Sequence, residues 1–410
     1  MSTVPSEPDA IVIGAGLAGL AATRRLRADG RSVVLLEARG RIGGRAWCER
    51  DSLGVPFDHG AQWLHSADIN PLTRLAEEAG YDSTRRIERY DLIVDGRAID
   101  APDAEAWRRF LAPLSAPDLP DRPVGELLRV ESPAERMMAA RLGPLDAGVS
   151  LNALSAHEFT RQHGTGDERL LRQGLGSLVA RYGADVPVTL DSPVTAIDWR
   201  ESGRIRVETP HGTLSAPQVL ITVPVGVLQA ESIRFRPALP AWKLGAIDAF
   251  GIAVLNKIAF ALDPVDAETT MAAGAIGLDE QDRAAGFLLR PFGEPLAIGY
   301  VGAELARDLE AQGPDAARAF MLERAGHLVG ESLRRRFRRS VVTGWLGDPW
   351  SRGSYSAIRP GLAHRRADLA RDVDQRLYFA GEACDASWAT MLPGALVSGT
   401  RAAEAMLAAG

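Results

Sequence analysis

A cluster of three glycines near the start of the chain constrains the fold more than any other feature of the sequence. Gly14, Gly16 and Gly19 lie between an apolar run at 10–13 and a helical pattern, which is followed by a second apolar run at 33–36. A strand, a helix and a strand within about thirty residues form a βαβ unit, so the two strands are parallel. The opening of the chain therefore predicts an α/β fold with a parallel sheet.

Each glycine has its own task in such a turn. Gly14 permits the tight bend, Gly16 lets the backbone approach a pyrophosphate, and Gly19 lets the helix pack closely on the strand. The helix N-terminus offers unpaired N–H groups to phosphates. Glu37 follows at the end of the second strand, 23 positions after Gly14, where an acid can hydrogen-bond a ribose. This combination predicts a dinucleotide site; the alternative is a glycine-rich turn in an ordinary α/β domain.

The next motif separates FAD from NAD. Residues 37–45 read EARGRIGGR. Gly43 and Gly44 allow a second close approach of the backbone. The planar guanidinium groups of Arg39 and Arg45 can each donate two parallel hydrogen bonds to phosphate oxygens. A nicotinamide enzyme has no obvious need for a second phosphate-binding loop here, so the motif favours FAD. The alternative is a basic surface loop.

Composition narrows the class of protein. The chain has 410 residues and a formal charge of −6, which argues against a nucleic-acid partner. The arginine run at 334–339 is interpreted as a solvated helix end. Two cysteines, Cys48 and Cys384, predict neither a zinc site nor a disulfide framework, so a reducing compartment fits. The sequence has no stretch of eighteen apolar residues, and we expect a cytoplasmic protein without a membrane span.

The runs IVIGAGLAGL and LLEARGRIGGR resemble the amino-oxidase branch of the flavoproteins, which includes monoamine and polyamine oxidases, amino-acid oxidases and histone lysine demethylases. The resemblance covers most of the chain but not the region from about 80 to 170. Other segments carry the resemblance too. Residues 57–65 are similar to the family's D-x-G-A-x-W segment against the flavin, 378–382 to the family segment whose acid holds the ribityl chain, and 394–399 to the family's closing helix beneath the isoalloxazine. The segments 174–178, 194–197 and 219–228 also resemble family segments.

This resemblance implies an α/β fold in which a Rossmann-like FAD domain is interleaved with a substrate domain of mixed sheet and helices. The FAD domain is expected over 1–75, 186–240 and 341–410, and the substrate domain over 76–185 and 241–340. FAD is expected to be non-covalent, because Ser354 stands where mammalian monoamine oxidases carry a flavin-linked cysteine. The residues expected to bind FAD are Gly14, Ala15, Gly16, Ala18, Gly19, Glu37, Ala38, Arg39, Gly43, Gly44, Arg45, Gly60, Ala61, Gln62, Trp63, Val194, Trp350, Gly381, Glu382, Met391, Leu392 and Ala395.

Lys257 lies between apolar neighbours on a predicted strand. A lysine there is costly to bury without partners, so one interpretation is an edge-strand lysine that faces solvent. The resemblance implies instead a lysine near the flavin N5, bridged through a water. A buried lysine has a lowered pKa and can assist proton movement during reoxidation.

The resemblance also implies the substrate wall. Tyr355 corresponds to one aromatic ring of a cage that holds a neutral amine. The second ring is replaced by Met391, and Trp388 is a candidate for the missing surface. His65 stands where animal polyamine oxidases contact substrate, or else is a structural histidine at a turn. The predicted catalytic set is therefore Lys257, Tyr355, His65, Met391 and Trp388.

The implied reaction is oxidation of a C–N bond in a small amine, with O2 as acceptor and H2O2 as product. An L-amino-acid oxidase is one alternative; it needs an arginine for the carboxylate, with Arg85, Arg86 and Arg89 as candidates. A desaturase or dehydrogenase of the same superfamily is another. A non-catalytic protein of the GDP-dissociation-inhibitor type is the third. The sequence leaves the substrate, the oligomeric state and the electron acceptor open.

Overall fold

The structure is a computed structural model that describes residues 7–85, 90–201, 203–263 and 273–410. Its organising element is a four-stranded parallel sheet. The strands lie in the order Val33–Leu36, Ala10–Ile13, Gln218–Ile221 and Leu377–Phe379. The predicted βαβ unit is present, and strands from three distant parts of the chain complete one sheet.

Both faces of this sheet are covered. Along the first strand, Ile11 and Ile13 enter one apolar core while Ala10 and Val12 enter another. Side chains alternate between faces in a strand, so a run of four apolar residues fits a strand that is buried on both sides. The continuous apolar runs at the start of the chain therefore have a direct structural cause.

One face of the parallel sheet is covered by two helices that pack very closely against each other. The helix Leu17–Ala28 packs on the C-terminal helix Leu392–Ala409. A Cβ atom at Gly399 would lie 2.2 Å from the carbonyl oxygen of Ala18, so glycine is required for this contact.

A second sheet of four strands lies in the order Gly212–Ala216, Ile205–Thr209, Ala196–Asp198 and Arg234–Arg236. The short apolar runs at 186–190 and 219–223, which flank this sheet in the sequence, do not belong to it. Thr189 makes a single bridge to Leu36, and Gln218–Ile221 belongs to the parallel sheet. The apolar side chains of Gln218–Ile221 are buried on both faces of the parallel sheet, as expected for a central parallel strand.

The largest sheet has seven strands and mixed direction. Its order is Phe337–Val342, Leu255–Leu262, Leu296–Gly302, Ala284–Leu289, Ala273–Leu278, Tyr90–Val94 and Arg97–Ile99. The helices Pro133–Ala140 and Pro314–Leu328 pack against it. This mixed sheet with helices confirms the predicted fold class, while the proposed domain boundaries stay a prediction.

Shorter elements complete the fold. Small sheets pair Phe250–Ala253 with Tyr355–Ile358, Cys48–Glu49 with Phe57–Asp58, and Arg169–Leu171 with Trp63–Leu64 and Ser83–Arg85. The other α-helices are Pro71–Glu78, Ala104–Leu111, Val124–Leu127, Ala156–Arg161, Leu175–Tyr182, Val225–Gln229, Ala241–Asp248, Ala303–Gln312, Glu331–Arg334 and Arg365–Ala370, and a π-helical turn spans Arg141–Ala147.

The arginine run at 334–339 is only partly a helix end. Arg334 closes the helix Glu331–Arg334, whereas Arg338 and Arg339 lie on the strand Phe337–Val342. Within the described ranges, no helix combines the length and the apolar character needed to cross a membrane.

Lys243 is one of only two lysines in the chain, and its side chain is fully buried. Its ammonium donates hydrogen bonds to the carbonyl oxygens of Asp368 (2.9 Å), Leu369 (2.8 Å) and Arg371. These carbonyls lie at the end of the helix Arg365–Ala370, where the helix supplies no partners of its own. Lys243 therefore satisfies this helix end and ties it to the helix Ala241–Asp248.

We expect the substitution Lys243→Met to lower the free energy of unfolding by about 1–3 kcal/mol, because it leaves buried carbonyl groups without donors. Leu244, the exposed neighbour on the same helix, provides the control: Leu244→Met should change stability by less than about 0.5 kcal/mol. Urea unfolding measures both variants. Equal stability of the two would contradict the assigned role.

Candidate active site

One cavity of about 550 Å³ opens at the carboxyl ends of the four parallel strands. Gly14, Glu37, Thr222 and Gly381 each follow one of these strands, and all four line the cavity. Ligands of open parallel sheets bind at this edge, where loops from several strands meet. The geometry therefore places a ligand site where the glycine motif predicts one.

The glycine turn is shaped for close approach. Gly14 has φ of +101°, a conformation that favours glycine, and a Cβ at Gly19 would lie 1.9 Å from the Gly14 carbonyl oxygen. Gly16 differs from both, because a Cβ there would meet no atom within 4 Å and would project into the cavity. The turn thus leaves open space at the first turn of a helix, which is what a pyrophosphate needs.

Glu37 fixes this turn to the loop that follows the second strand. Its buried carboxylate accepts hydrogen bonds from the backbone N–H groups of Ala15 (2.7 Å) and Arg39 (2.9 Å). The backbone N–H of Gly43 donates to the Ala15 carbonyl at 2.8 Å. Glu37 lines the cavity, so its carboxylate both holds the two loops together and faces the ligand space.

Arg39 and Arg45 of the second motif each pair with an acid. Arg39 donates to the carboxylate of Asp348, with one contact of 3.2 Å, and to the Ser351 hydroxyl at 2.9 Å. Arg45 donates to Glu382 at 3.1 Å. From the sequence, both guanidinium groups were expected to bind phosphate oxygens, and their pairing with Asp348 and Glu382 was not predicted. A guanidinium has five N–H donors, and both arginines line the cavity, so the pairs position them beside the ligand space.

Lys257 joins the segment 57–65 to the cavity. Its ammonium donates to the carbonyl oxygens of Asp58 and Gly60, both at 2.7 Å. Its strand has neighbours on both sides, and the side chain is 4% exposed, so the alternative of a solvent-facing edge lysine is wrong. Burial lowers the pKa of Lys257 to about 8, and Asp58 opposes this shift.

Asp58 has a structural task. Its carboxylate accepts the backbone N–H groups of Leu175 and Gly176, both at 2.8 Å, at the start of the helix Leu175–Tyr182. Burial raises the pKa of Asp58, while Lys257 opposes the rise. The segment thus ties a helix start to a lysine in the cavity wall.

The substrate wall agrees in part with the prediction. Tyr355 lines the cavity and donates its hydroxyl to the Asp146 carbonyl at 3.0 Å; burial raises the pKa of this phenol above its ordinary range. Met391 also lines the cavity. Trp388 does not: its buried ring packs on His163, with ring centres 4.5 Å apart. The lining of the cavity therefore includes Tyr355 and Met391 but not Trp388.

His65 lies on the cavity wall and makes a hydrogen bond through Nδ1 to the Glu168 carboxylate, which lines the cavity too. Nearby, the Tyr300 hydroxyl donates to the Gln62 side chain at 2.8 Å. The acid beside His65 was missed by the sequence analysis, because it lies in the region without family resemblance.

The same region supplies further lining residues that sequence reasoning missed, namely Tyr90, Arg141, Leu142, Leu145, Asp146, Ala147, Leu154, Glu158, Phe159 and Gln162. Of the arginines considered for a carboxylate clamp, Arg85 has an 80% exposed side chain and pairs with Asp167 at 3.6 Å, away from the cavity. Arg86 and Arg89 lie outside the described residues.

Most of the predicted positions meet in this cavity. Ala15 and Gly19 lie behind the lining as supports of the turn. The predicted residues that line it are Gly14, Gly16, Ala18, Glu37, Ala38, Arg39, Gly43, Gly44, Arg45, Gly60, Ala61, Gln62, Trp63, His65, Val194, Lys257, Trp350, Tyr355, Gly381, Glu382, Met391, Leu392 and Ala395. Neither cysteine lines the cavity. In the part of the chain that the structure describes, no group of three or more His, Cys, Asp or Glu side chains is arranged to hold a metal ion.

A glycine turn with open space for a pyrophosphate and an acid at the end of the second strand are the features of an α/β dinucleotide-binding protein. Residues 17–148 and 139–407 match the family described as flavin containing amine oxidoreductase. The chain therefore belongs to this family, which confirms the predicted resemblance and the predicted FAD cofactor. Family membership also weighs against the non-catalytic alternative.

The chain is similar to two kinds of curated relative. Lysine-specific histone demethylase 2 of Homo sapiens is 28% identical over 97% of this chain and 53% of its own length. Polyamine oxidase 4 of Oryza sativa subsp. japonica is 29% identical over 97% of this chain and 88% of its own length. The chain thus spans about half the length of the first relative and most of the second.

The fold is also that of a solved amine oxidase. A structure of putrescine oxidase bound to putrescine superposes with a TM-score of 0.82 at 19% identity, covering 98% of this chain and 99% of the other. At this identity the likeness establishes the fold alone.

We expect the substitution Gly16→Val to raise the dissociation constant for FAD at least about tenfold, because the new side chain enters the space left for the pyrophosphate. Gly164 gives a matched control, since a Cβ there also meets no atom within 4 Å but lies away from the cavity. Titration of the apoprotein with FAD measures the constants. If Gly16→Val and Gly164→Val bind FAD equally well, the pyrophosphate is not held at this turn.

Proposed function

We propose that this protein is an FAD-dependent oxidase that acts on a C–N bond of a polyamine-like or other primary or secondary amine. The observation that carries this proposal is the continuity of the cavity. It runs from the glycine turn at Gly14 and Gly16 to a wall that contains Lys257, Tyr355 and His65. One space therefore offers a phosphate-binding end and an end suited to a small organic substrate. The names of the polyamine oxidase relative and of putrescine oxidase support the choice of an amine.

The glycine turn, Glu37 and Glu382 would hold FAD, and the bound flavin would supply two-electron redox chemistry: the hydride on the carbon next to the amine nitrogen would be accepted, O2 would be reduced to H2O2, and water would hydrolyse the imine to a carbonyl compound. The chain orients the substrate and excludes water. Tyr355 and Met391 offer apolar surface to a neutral amine, and the Tyr355 hydroxyl is held by the Asp146 carbonyl. Hydride transfer needs no protein nucleophile.

Lys257 has the properties of a proton donor in the cavity. Two of its three N–H donors bind backbone carbonyls, and its lowered pKa makes loss of a proton accessible near neutral pH. The ammonium form also supplies a positive charge inside a buried site, where charge is poorly screened.

The substrate end carries negative charge that suits a second ammonium group. Glu168 lines the cavity next to His65. A diamine or polyamine presents a cation at a distance from the amine that is oxidised, and a carboxylate on the wall stabilises it.

A second candidate, an L-amino-acid oxidase, is favoured by one residue. Arg141 lines the cavity at the start of the π-helical turn, and its guanidinium lies 4.0 Å from Asp146 and over the Tyr90 ring at 5.7 Å. A guanidinium in this position can bind a substrate carboxylate. An amine without a carboxylate remains the preferred substrate, because Asp146 partly neutralises Arg141 and Glu168 adds a further acid to the cavity wall.

We expect anaerobic addition of diamines or polyamines to bleach the visible absorption of bound FAD, and subsequent addition of O2 to restore it with release of H2O2. The panel should contain putrescine, spermidine, a simple monoamine, L-amino acids and a methylated-lysine peptide. Bleaching by amino acids alone would establish the second candidate. Failure of every amine to bleach the flavin would contradict the proposal and favour a desaturase or dehydrogenase.

We expect Lys257→Met to retain FAD and to slow reoxidation by O2 by about tenfold or more. In the parent protein, the reoxidation rate should fall as pH rises through about 8, since the ammonium is lost there. In the variant this decrease should be absent. Stopped-flow mixing of the reduced protein with O2 at several pH values gives both results, and an unchanged pH profile in Lys257→Met would refute the proton-donor role.

A further inference from the structure

A buried chain of charged groups starts at Glu158 in the cavity wall and continues to Arg366, which does not line the cavity; the proposed reaction assigns no role to either residue. Glu158 and Arg366 form an ion pair in which the side chains are only 3% and 4% exposed. Glu158 comes from the helix Ala156–Arg161, and Arg366 from the helix Arg365–Ala370. Burial of an ion pair costs desolvation of both charges, so the pair alone gives little reason to expect a gain in stability.

Arg366 also donates hydrogen bonds to partners other than Glu158. Its Nη1 donates to the Ser356 hydroxyl at 3.2 Å and to the Ala383 carbonyl at 2.9 Å. The Ser356 hydroxyl in turn donates to Glu382 Oε2 at 2.7 Å. Since a guanidinium can only donate, Ser356 must accept from it, and the single hydroxyl hydrogen is then committed to Glu382.

Glu382 is the acid that this chain orients. Its Oε1 accepts from the Ser356 backbone N–H and from Arg45, both at 3.1 Å. Glu382, Arg45 and Ser356 line the cavity, whereas Arg366 does not. The charges alternate in sign from Glu158 through Arg366 and Glu382 to Arg45. Because Glu158 neutralises Arg366, the charge of Glu382 remains available to Arg45 and to the cavity.

We propose that Arg366 is a positioning residue for the cofactor: held by Glu158, it directs the Ser356 hydroxyl onto Glu382 and so fixes the carboxylate that faces bound FAD. The inference rests on FAD binding by this family and is independent of the substrate. It gives the Glu158–Arg366 pair a role in cofactor affinity, in addition to any role in folding.

The experiment measures the dissociation constant of FAD and the unfolding midpoint for the same variants. Arg366→Met should raise the dissociation constant by about tenfold or more, as loss of a residue that orients a ligand group commonly does. The dissociation constant of Arg366→Lys should lie between those of Arg366→Met and the parent, because one ammonium group cannot reproduce the several directed N–H donors of a guanidinium. Arg324→Met is the matched control: Arg324 pairs with Asp279, with both side chains mostly buried, and neither residue lines the cavity. It should lower the unfolding midpoint and leave FAD affinity within about twofold.

A double variant tests the route through Ser356. If Arg366 acts through this hydroxyl, Ser356→Ala and Arg366→Met should be strongly non-additive, and the double variant should bind FAD within about twofold of Ser356→Ala alone. Additive effects would overturn the route, and an Arg366→Met variant with parental FAD affinity would overturn the proposal. Should Arg366→Met not fold, Arg366→Lys carries the test, because Arg366 does not line the cavity: a raised dissociation constant is expected, and an unchanged one would contradict the role. Since no amine is used, the result does not depend on the proposed oxidase activity.

Discussion

The cavity depends on ion pairs that join residues far apart in the chain. Arg45 and Glu382 are separated by 337 positions, and Arg39 and Asp348 by 309. Each pair links the loop after the second parallel strand to a segment near the end of the chain. Truncating one partner would leave a poorly solvated charge at the cavity edge, which is costly. The two ends of the sequence therefore form this part of the cavity wall together, and neither end contains the whole of it.

The parallel sheet explains why such distant residues meet. Strands that run in the same direction end at the same edge, so the residues after Ile13, Leu36, Ile221 and Phe379 form one rim. The chain enters the sheet three separate times, and the intervening segments build the mixed sheet and its helices. Lys257 reaches the rim from that mixed sheet, where it binds the carbonyls of Asp58 and Gly60. Both the rim of the parallel sheet and the mixed sheet thus contribute residues to one cavity.

Local features of the site could be predicted from the sequence. The glycine turn and Glu37 are specified by a short motif, because each residue there acts on the neighbouring backbone. The partners of Arg39 and Arg45 could not be predicted, since an acid at position 348 or 382 has no local signature that connects it to position 39 or 45. Glu158 could not be predicted as a buried charge for the same reason: its pattern after Ser155 only indicates a helix start. Trp388 was misplaced because an aromatic residue in a motif does not reveal which side of the wall it occupies.

The use of lysine in this chain has a practical consequence. Of the 47 basic residues only two are lysines, and both are buried. A guanidinium suits exposed pairs, whereas a compact ammonium with three donors suits a pocket of backbone carbonyls. The folded surface therefore presents no lysine to reagents that acylate amines. Lys257 lines the cavity and is within reach of a small reagent that enters there, whereas Lys243 becomes available only when the surrounding helices separate. Mass spectrometry of the acylated protein would therefore report two events separately. Acylation of Lys257 would show that a reagent enters the cavity, and acylation of Lys243 would show that the surrounding helices have separated.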